Sequence, residues 1–142
     1  MTAKGEIIIK NHEGTQLEGS RENSSSLISE VGLNVSLPYD QLENKIQGSR
    51  HISGLSVKKE IDRLTPQIFE IVCLGRTCKE VVITLYNIND EGDEKPYFIY
   101  TLADAKIVSM SNGMSSESLN FIAKSYTLEY LEGGITYTET AF

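Results

Sequence analysis

The chain predicts a mainly β fold: a compact β-barrel or sandwich of two sheets with one short α-helix laid against it. Three observations carry that expectation. Five stretches, at 27–37, 52–61, 79–88, 97–110 and 119–131, are rich in β-branched and aromatic residues, and most of them alternate apolar with polar positions. One stretch alone, Pro66 to Leu74, has helical spacing between clear start and stop signals. Clusters of Gly, Ser, Asn and Asp separate the β stretches, and no segment repeats another. At 142 residues the chain is read as a single domain, 1–142. That length buries about two-thirds of its unfolded surface and needs no disulfide scaffold.

Taken in order, Glu6 to Lys10 is a short strand with three isoleucines. Asn11 to Ser26 follows as a polar loop, with mobility expected at its serines 24 to 26. Leu27 to Leu37 places Leu27, Val31, Leu33, Val35 and Leu37 on one parity, with Ser29 among them, and Glu30, Gly32, Asn34 and Ser36 on the other. That is the pattern of a sheet with one wet face. Pro38 stops the strand and opens a second polar excursion to His51, in which Leu42 and Ile46 are the aliphatic residues. A loop this long in a small domain is read as functional.

Ile52 to Ile61 buries Leu55 and Val57 and turns Lys58 and Glu60 outward. Thr65 then suits an N-cap and Pro66 the first helical position. Ile68, Phe69, Val72 and Cys73 form the expected packing face, and Gly75 the left-handed stop. Lys79 to Ile88 is apolar on both parities, which implies cover on both faces. The turn at 89–94 (NDEGDE) needs positive φ at Gly92. From Tyr97 to Met110 the apolar parity slips after Leu102, so a bulge is expected near Ala103–Asp104. A polar turn at 111–116 leads to Leu119–Leu131, and Glu132-Gly133-Gly134 turns into a last strand at 135–138.

Chemistry is sparse. The net charge of −7 excludes nucleic acid as the main partner, because phosphate binding needs a basic face. No segment has the apolar length of a membrane span, and the first residues lack the core of a secretory signal. A cytosolic protein is expected, unless a route that ignores signal peptides exports it. Cys73 and Cys78 form a C-x4-C pair without a second pair of ligands, so no metal and no cofactor are expected, and both read as small buried hydrophobes. His12 and His51 sit in polar loops. The 89–94 turn has Phe98 where a calcium loop needs its bidentate Glu. A hydrolase would have to draw on Asp90, Glu91, Asp93 or Glu94, which nothing places across a cleft. The residues predict no enzyme. They leave open a self-assembling structural element or a monomeric β-sandwich that binds a small ligand or glycan, with Tyr39 and Tyr137 as its exposed tyrosines.

Several motifs narrow this choice. The excursion opened by Pro38 ends in Lys45-Ile46-Gln47-Gly48-Ser49-Arg50, and KKEID at 58–62 is followed by a T-P-x-I-F passage at Thr65 to Phe69. LGRT at 74–77, YNINDEG at 86–92, YFIYTLADAKIVSMS at 97–111 and LEYLEGGI at 128–135 follow in order. In order and spacing the chain resembles the haemolysin-coregulated protein (Hcp) family, the tube protein of bacterial type VI secretion systems. The resemblance covers roughly 27–138. It departs at Leu128, where many members carry Trp and where looser packing is expected, and it is weak over the first 26 residues.

The resemblance implies a fold shared with phage tail tubes and assembly into six-membered rings. It implies rings stacked inside a contractile sheath, a spike at the tip, and small effectors carried in the lumen. It further implies a protein held in the bacterial cytoplasm and then expelled without a signal peptide, with no nucleic acid partner and no membrane insertion. For this role the 38–51 excursion is the expected ring-to-ring contact, with Pro38, Tyr39, Asp40, Leu42, Lys45, Ile46 and Arg50 as its residues.

Overall fold

The computed structural model describes residues 2–21, 23–37, 39–40, 45–46, 50–88 and 91–140, with backbone alone at 2–3, 39–40 and 45–46. Among these residues the strands are β1 (Thr2–Lys10), β2 (Ser26–Ser36), β3 (Tyr39–Asp40), β4 (Lys45–Ile46), β5 (His51–Glu60), β6 (Cys78–Ile88), β7 (Glu94–Asn112), β8 (Ser116–Tyr130) and β9 (Ile135–Thr140), with one helix, α1 (Leu64–Leu74). Every pairing is antiparallel, in the order β5-β2-β1-β6-β7-β8-β9, and β5 also pairs with β8 from Leu55↔Phe121 to Glu60↔Ser116. The sheet therefore closes on itself, and the alternative of two packed sheets gives way to a barrel. Its interior is filled by Ile7, Ile9, Leu55, Ile83, Leu102 and Phe121, each at most 1% exposed.

The helix connects the end of β5 to the start of β6, strands on opposite sides of the barrel, and it packs on β7. Its buried face is Leu64, Thr65, Ile68 and Ile71, with Val72 half-buried. The expected face was out of phase. Ile68 and Val72 do pack on the core, but Phe69 is 62% exposed and Cys73 is exposed as well. At about 100° per residue, Leu64, Thr65, Ile68, Ile71 and Val72 form one face centred on Ile68, and Phe69 and Cys73 rotate away from it.

The start differs too. Pro66 is the third helical residue, still within the first turn where no intrahelical bond is lost. Thr65 is not the cap. Its backbone is helical, and its hydroxyl donates to Glu117 Oε1 at 3.1 Å. Asp62 takes over the capping, its Oδ1 accepting from the Leu64 N–H at 3.0 Å. The stop is as expected: Gly75 is left-handed at φ 64°, and the Gly75 and Arg76 N–H groups return to Val72 and Ile71.

Two strands are re-phased by bulges. In β2, Ser26 and Ile28 point inward and Leu27 outward, until Ser29 is skipped in the register between Ile28↔Lys59 and Glu30↔Lys58. The Ser29 hydroxyl donates to the Lys58 carbonyl at 3.0 Å. Val31 and Leu33 then pack on the core as expected, whereas Val35 and Leu37 stay exposed. In β7, side chains are re-aimed at Asp104 (φ 49°), where the parity slip predicted it. The register runs on unbroken across Asp104, however, from Ala103↔Ser125 to Ala105↔Ala123, and the inserted residue comes later, between Ile107 and Ser109. Gly92 has the positive φ its turn requires, 86°.

In the 11–26 loop the serines expected to be mobile are held in place by burial and hydrogen bonding. Ser25 and Ser26 are fully buried, and the Ser25 hydroxyl donates to the buried Glu6 carboxylate at 2.7 Å.

Candidate assembly surface

The barrel is closed at one end and open at the other. β1 pairs with β2 only from Ile7↔Ser26 to Gly5↔Ile28, and β5 leaves β8 after Leu55↔Phe121. Past those points the β2–β5 hairpin and the β6–β9 sheet part like two jaws. The inner face of the sheet runs in register through Ile83, Tyr100, Leu128 and Tyr137, and exposure rises along it from 0% at Ile83 to 68% at Tyr137. In the next row Phe98 packs between Tyr100 and Tyr130, with ring centres 4.9 and 6.4 Å away.

Between the jaws lies an apolar cleft of about 320 Å³, walled by Leu33, Val35 and Ile52 on one side and Tyr126, Leu128 and Tyr137 on the other. Leu128, the position where a Trp was the family's pattern, is one of its walls. Arg50 closes the rim. Its Nε donates to Glu139 Oε1 at 3.2 Å and its terminal nitrogen to the Thr140 carbonyl at 2.6 Å. Glu139 also accepts from the Tyr137 hydroxyl at 2.8 Å, and that bond raises the phenol's pKa above its usual 10.

Of the residues expected at a ring contact, Pro38 and Leu42 lie outside the described residues. Tyr39 and Asp40 pair through the backbone with Ile46 and Lys45 as two two-residue strands inside the long excursion. Arg50 is placed on the cleft rim with its charge met by Glu139 of the same chain. Tyr137 is exposed as expected, and Tyr130 joins it at 41%.

At the end of β8 away from the cleft stands an ionic cluster that sequence reading missed. Lys59 and Glu117 have fully buried side chains, paired at 2.6 Å. All three donors of the Lys59 ammonium are used, on Glu117, Asp62 (2.9 Å) and the Glu60 carbonyl (2.8 Å). Burial alone would push the Asp62 carboxyl up, but hydrogen bonds from Lys59 and Ser20 help hold it below its ordinary value. The signal was present in the alternation. Lys59 shares the inward parity of Leu55 and Val57, and Glu117 that of Leu119 and Phe121.

A second cluster centres on Glu6, which accepts from Tyr86 (2.5 Å) and Ser25 and pairs with Arg21 at 3.3 Å. Burial, then the Glu6 bond, push the Tyr86 hydroxyl up to about 12. Both clusters tie loops and helix to the barrel. Neither lines the apolar cleft.

Among the described residues, no three His, Cys, Asp or Glu side chains gather as metal ligands, and no helix is long and apolar enough to cross a membrane. Both cysteines are free. Cys78 is buried, which pushes its thiol up to about 11, whereas Cys73 lies on the helix surface instead of in the core.

Comparison with known proteins fits this architecture. A family model described as "Type VI secretion system effector, Hcp" matches residues 3–133. No curated protein matches the chain. Among solved structures, the Hcp1 protein from E. coli EAEC 042 superposes with a TM-score of 0.91 at 24% identity, covering 98% of this chain and 99% of that one. Secreted protein Hcp3 from Pseudomonas aeruginosa gives 0.78 at 15% identity, with 98% of both chains covered. A type VI secretion system effector from Yersinia pestis gives 0.72 at 17%, covering 96% of this chain and 99% of that one. At these identities the structural likeness is one of fold, and the match over nearly the whole sequence carries the assignment. The chain belongs to the Hcp family of type VI secretion proteins.

Proposed function

We propose that this protein is the building block of a type VI secretion tube. Residues 1–142 act as one tube domain, copies join head to tail in rings of six, and stacked rings are driven out by a contracting sheath. Its partners are then other copies of itself, the sheath and spike proteins, and small effectors carried in the lumen. It waits in the bacterial cytoplasm and leaves without a signal peptide. The role is structural and calls on no active site. The family match over 3–133 is the observation that carries this reading.

The geometry supports it on physical grounds. A ring or stack needs two different surfaces per subunit that fit one another. Among the described residues β9 pairs only with β8, so its outer edge is open to augmentation by a neighbour's strand. The cleft walled by Val35 and Tyr137 adds exposed apolar surface of the kind that monomers rarely leave uncovered. The 38–51 excursion remains the proposed ring-to-ring contact. In that role its charge comes from Lys45, because Arg50 pairs with Glu139 in the same chain.

Sedimentation velocity tests the reading, with a species of six chains expected at micromolar concentration. A strict monomer at high concentration would refute it. The two tyrosines of the cleft favour a second reading, a monomeric module that binds a small ligand or glycan. That reading requires saturable ligand binding by a monomer, and ring formation counts against it.

A further inference from the structure

We propose that the apolar cleft at the open end of the barrel receives the tip of the β7–β8 hairpin, Met114, from a second copy of this chain. The inference rests on the self-assembly proposed above and names the surfaces that meet. Met114 sits at the tip of the turn joining β7 to β8 and is 103% exposed, the most exposed large hydrophobic among the described residues. The turn is pinned by the Gly113 N–H donating to the Ser116 carbonyl at 2.8 Å, so the side chain is presented on a defined support. Beyond Ala105, the last residue paired with Cys78, β7 has β8 as its only strand partner among the described residues, and the hairpin extends past the end of β6.

The cleft and the tip lie at opposite ends of β8. Leu128 is near the strand's C-terminus and Met114 precedes its N-terminus, so up to about 45 Å of chain at ~3.3 Å per residue separates the two. No chain can fill its own cleft with its own Met114. A contact between one end of a subunit and the other end of the next is heterologous and propagates. Methionine suits the role, because an unbranched, polarizable side chain fills irregular apolar space.

Charge supports the same pairing. The turns beside the cleft carry more acid than base, with Glu91, Asp93, Glu94 (paired with Lys4 and Arg21) and Lys95 at the start of β7, and Glu129 and Glu132 at the end of β8. Most of a protein with net charge −7 would be repelled by that end. The hairpin is not, because it carries no charge from Ile107 to Ser116. On the hairpin's own strands the first exposed charges are Lys106 and Lys124, and on the neighbouring β5 the exposed Glu60 and Lys58, of opposite sign, flank its base.

Disulfide trapping tests the pairing. In a Cys73→Ser background, the double variant Val35→Cys/Met114→Cys is expected to give a ladder of linked copies on oxidation, collapsed by reductant, where each single variant gives none. Met114→Asp should raise the concentration at which copies associate by roughly tenfold or more, and Met114→Leu should not. Neither change should move the melting temperature of the dilute protein, because Met114 is free of intrachain packing. Rings seen without a ladder would overturn the inference and leave the assembly reading standing. A ladder from Val35→Cys/Phe69→Cys instead would seat the helix in the cleft and also overturn it. A strict monomer would overturn both.

Discussion

Lys59→Met is the sharpest perturbation of this fold. Its side chain is fully buried and spends its three donors on Glu117, Asp62 and the Glu60 carbonyl. Methionine matches its length and removes its charge. Glu117 would then stay buried with only the Thr65 hydroxyl on Oε1, its Oε2 having no partner already. Breaking a buried pair from one side costs about 3–5 kcal/mol, whereas replacing both members with apolar residues is often neutral or favourable. At roughly 3–4 °C per kcal/mol for a domain of this size, the single variant should melt about 10–20 °C lower. The double variant Lys59→Met/Glu117→Leu should recover most of that loss. Thermal and urea unfolding of dilute protein, followed by circular dichroism, would measure both. A single variant that loses less than about 1 kcal/mol would refute the claim that the pair is desolvated. So would a double variant no more stable than the single.

Other variants test the remaining features. Gly54 has φ 104°, and an added Cβ would lie 2.5 Å from the Phe121 carbonyl oxygen, so Gly54→Ala should destabilise by about 1–3 kcal/mol in urea titration. Ile68→Ala should cost about 2–5 kcal/mol, whereas Phe69→Ser should stay within about 0.5 kcal/mol; equal losses would contradict the helix phase. Asp62 is held below its ordinary 3.8, so its contribution is complete above that value and is lost as pH falls through the lowered pKa. Tyr86 is raised from 10 to about 12, so its contribution is complete below pH 10 and is lost between 10 and 12. Urea midpoints across pH should fall at both ends. Asp62→Asn should flatten the acid limb and Tyr86→Phe the alkaline one.

Much of the strand framework was legible, because period-two alternation reports which side of a sheet is wet. It failed where one backbone residue changes the phase. Ser29 looks like any polar residue of an alternating strand, yet as a bulge it turns Leu27 out and Ile28 in. The helix misled for a different reason. Phe69 is the largest apolar residue of its segment, and hydrophobicity alone draws it into the core. Surface left for a partner has the same composition as surface buried in the chain. The same ambiguity hid the cleft, since Val35 and Tyr137 continue inward parities past the point where the strands part. Closure of the sheet depends on β5 meeting β8 across a long sequence separation, which local patterns do not encode. Lys59 and Glu117 were visible as charges on inward parities, and their partnership was not.

Negative-stain electron microscopy of the purified protein tests the central claim most directly. The account predicts rings of six subunits around an open channel, with some stacked end to end at higher concentration. A field of isolated, featureless particles the size of one chain, unchanged as concentration rises, would contradict it.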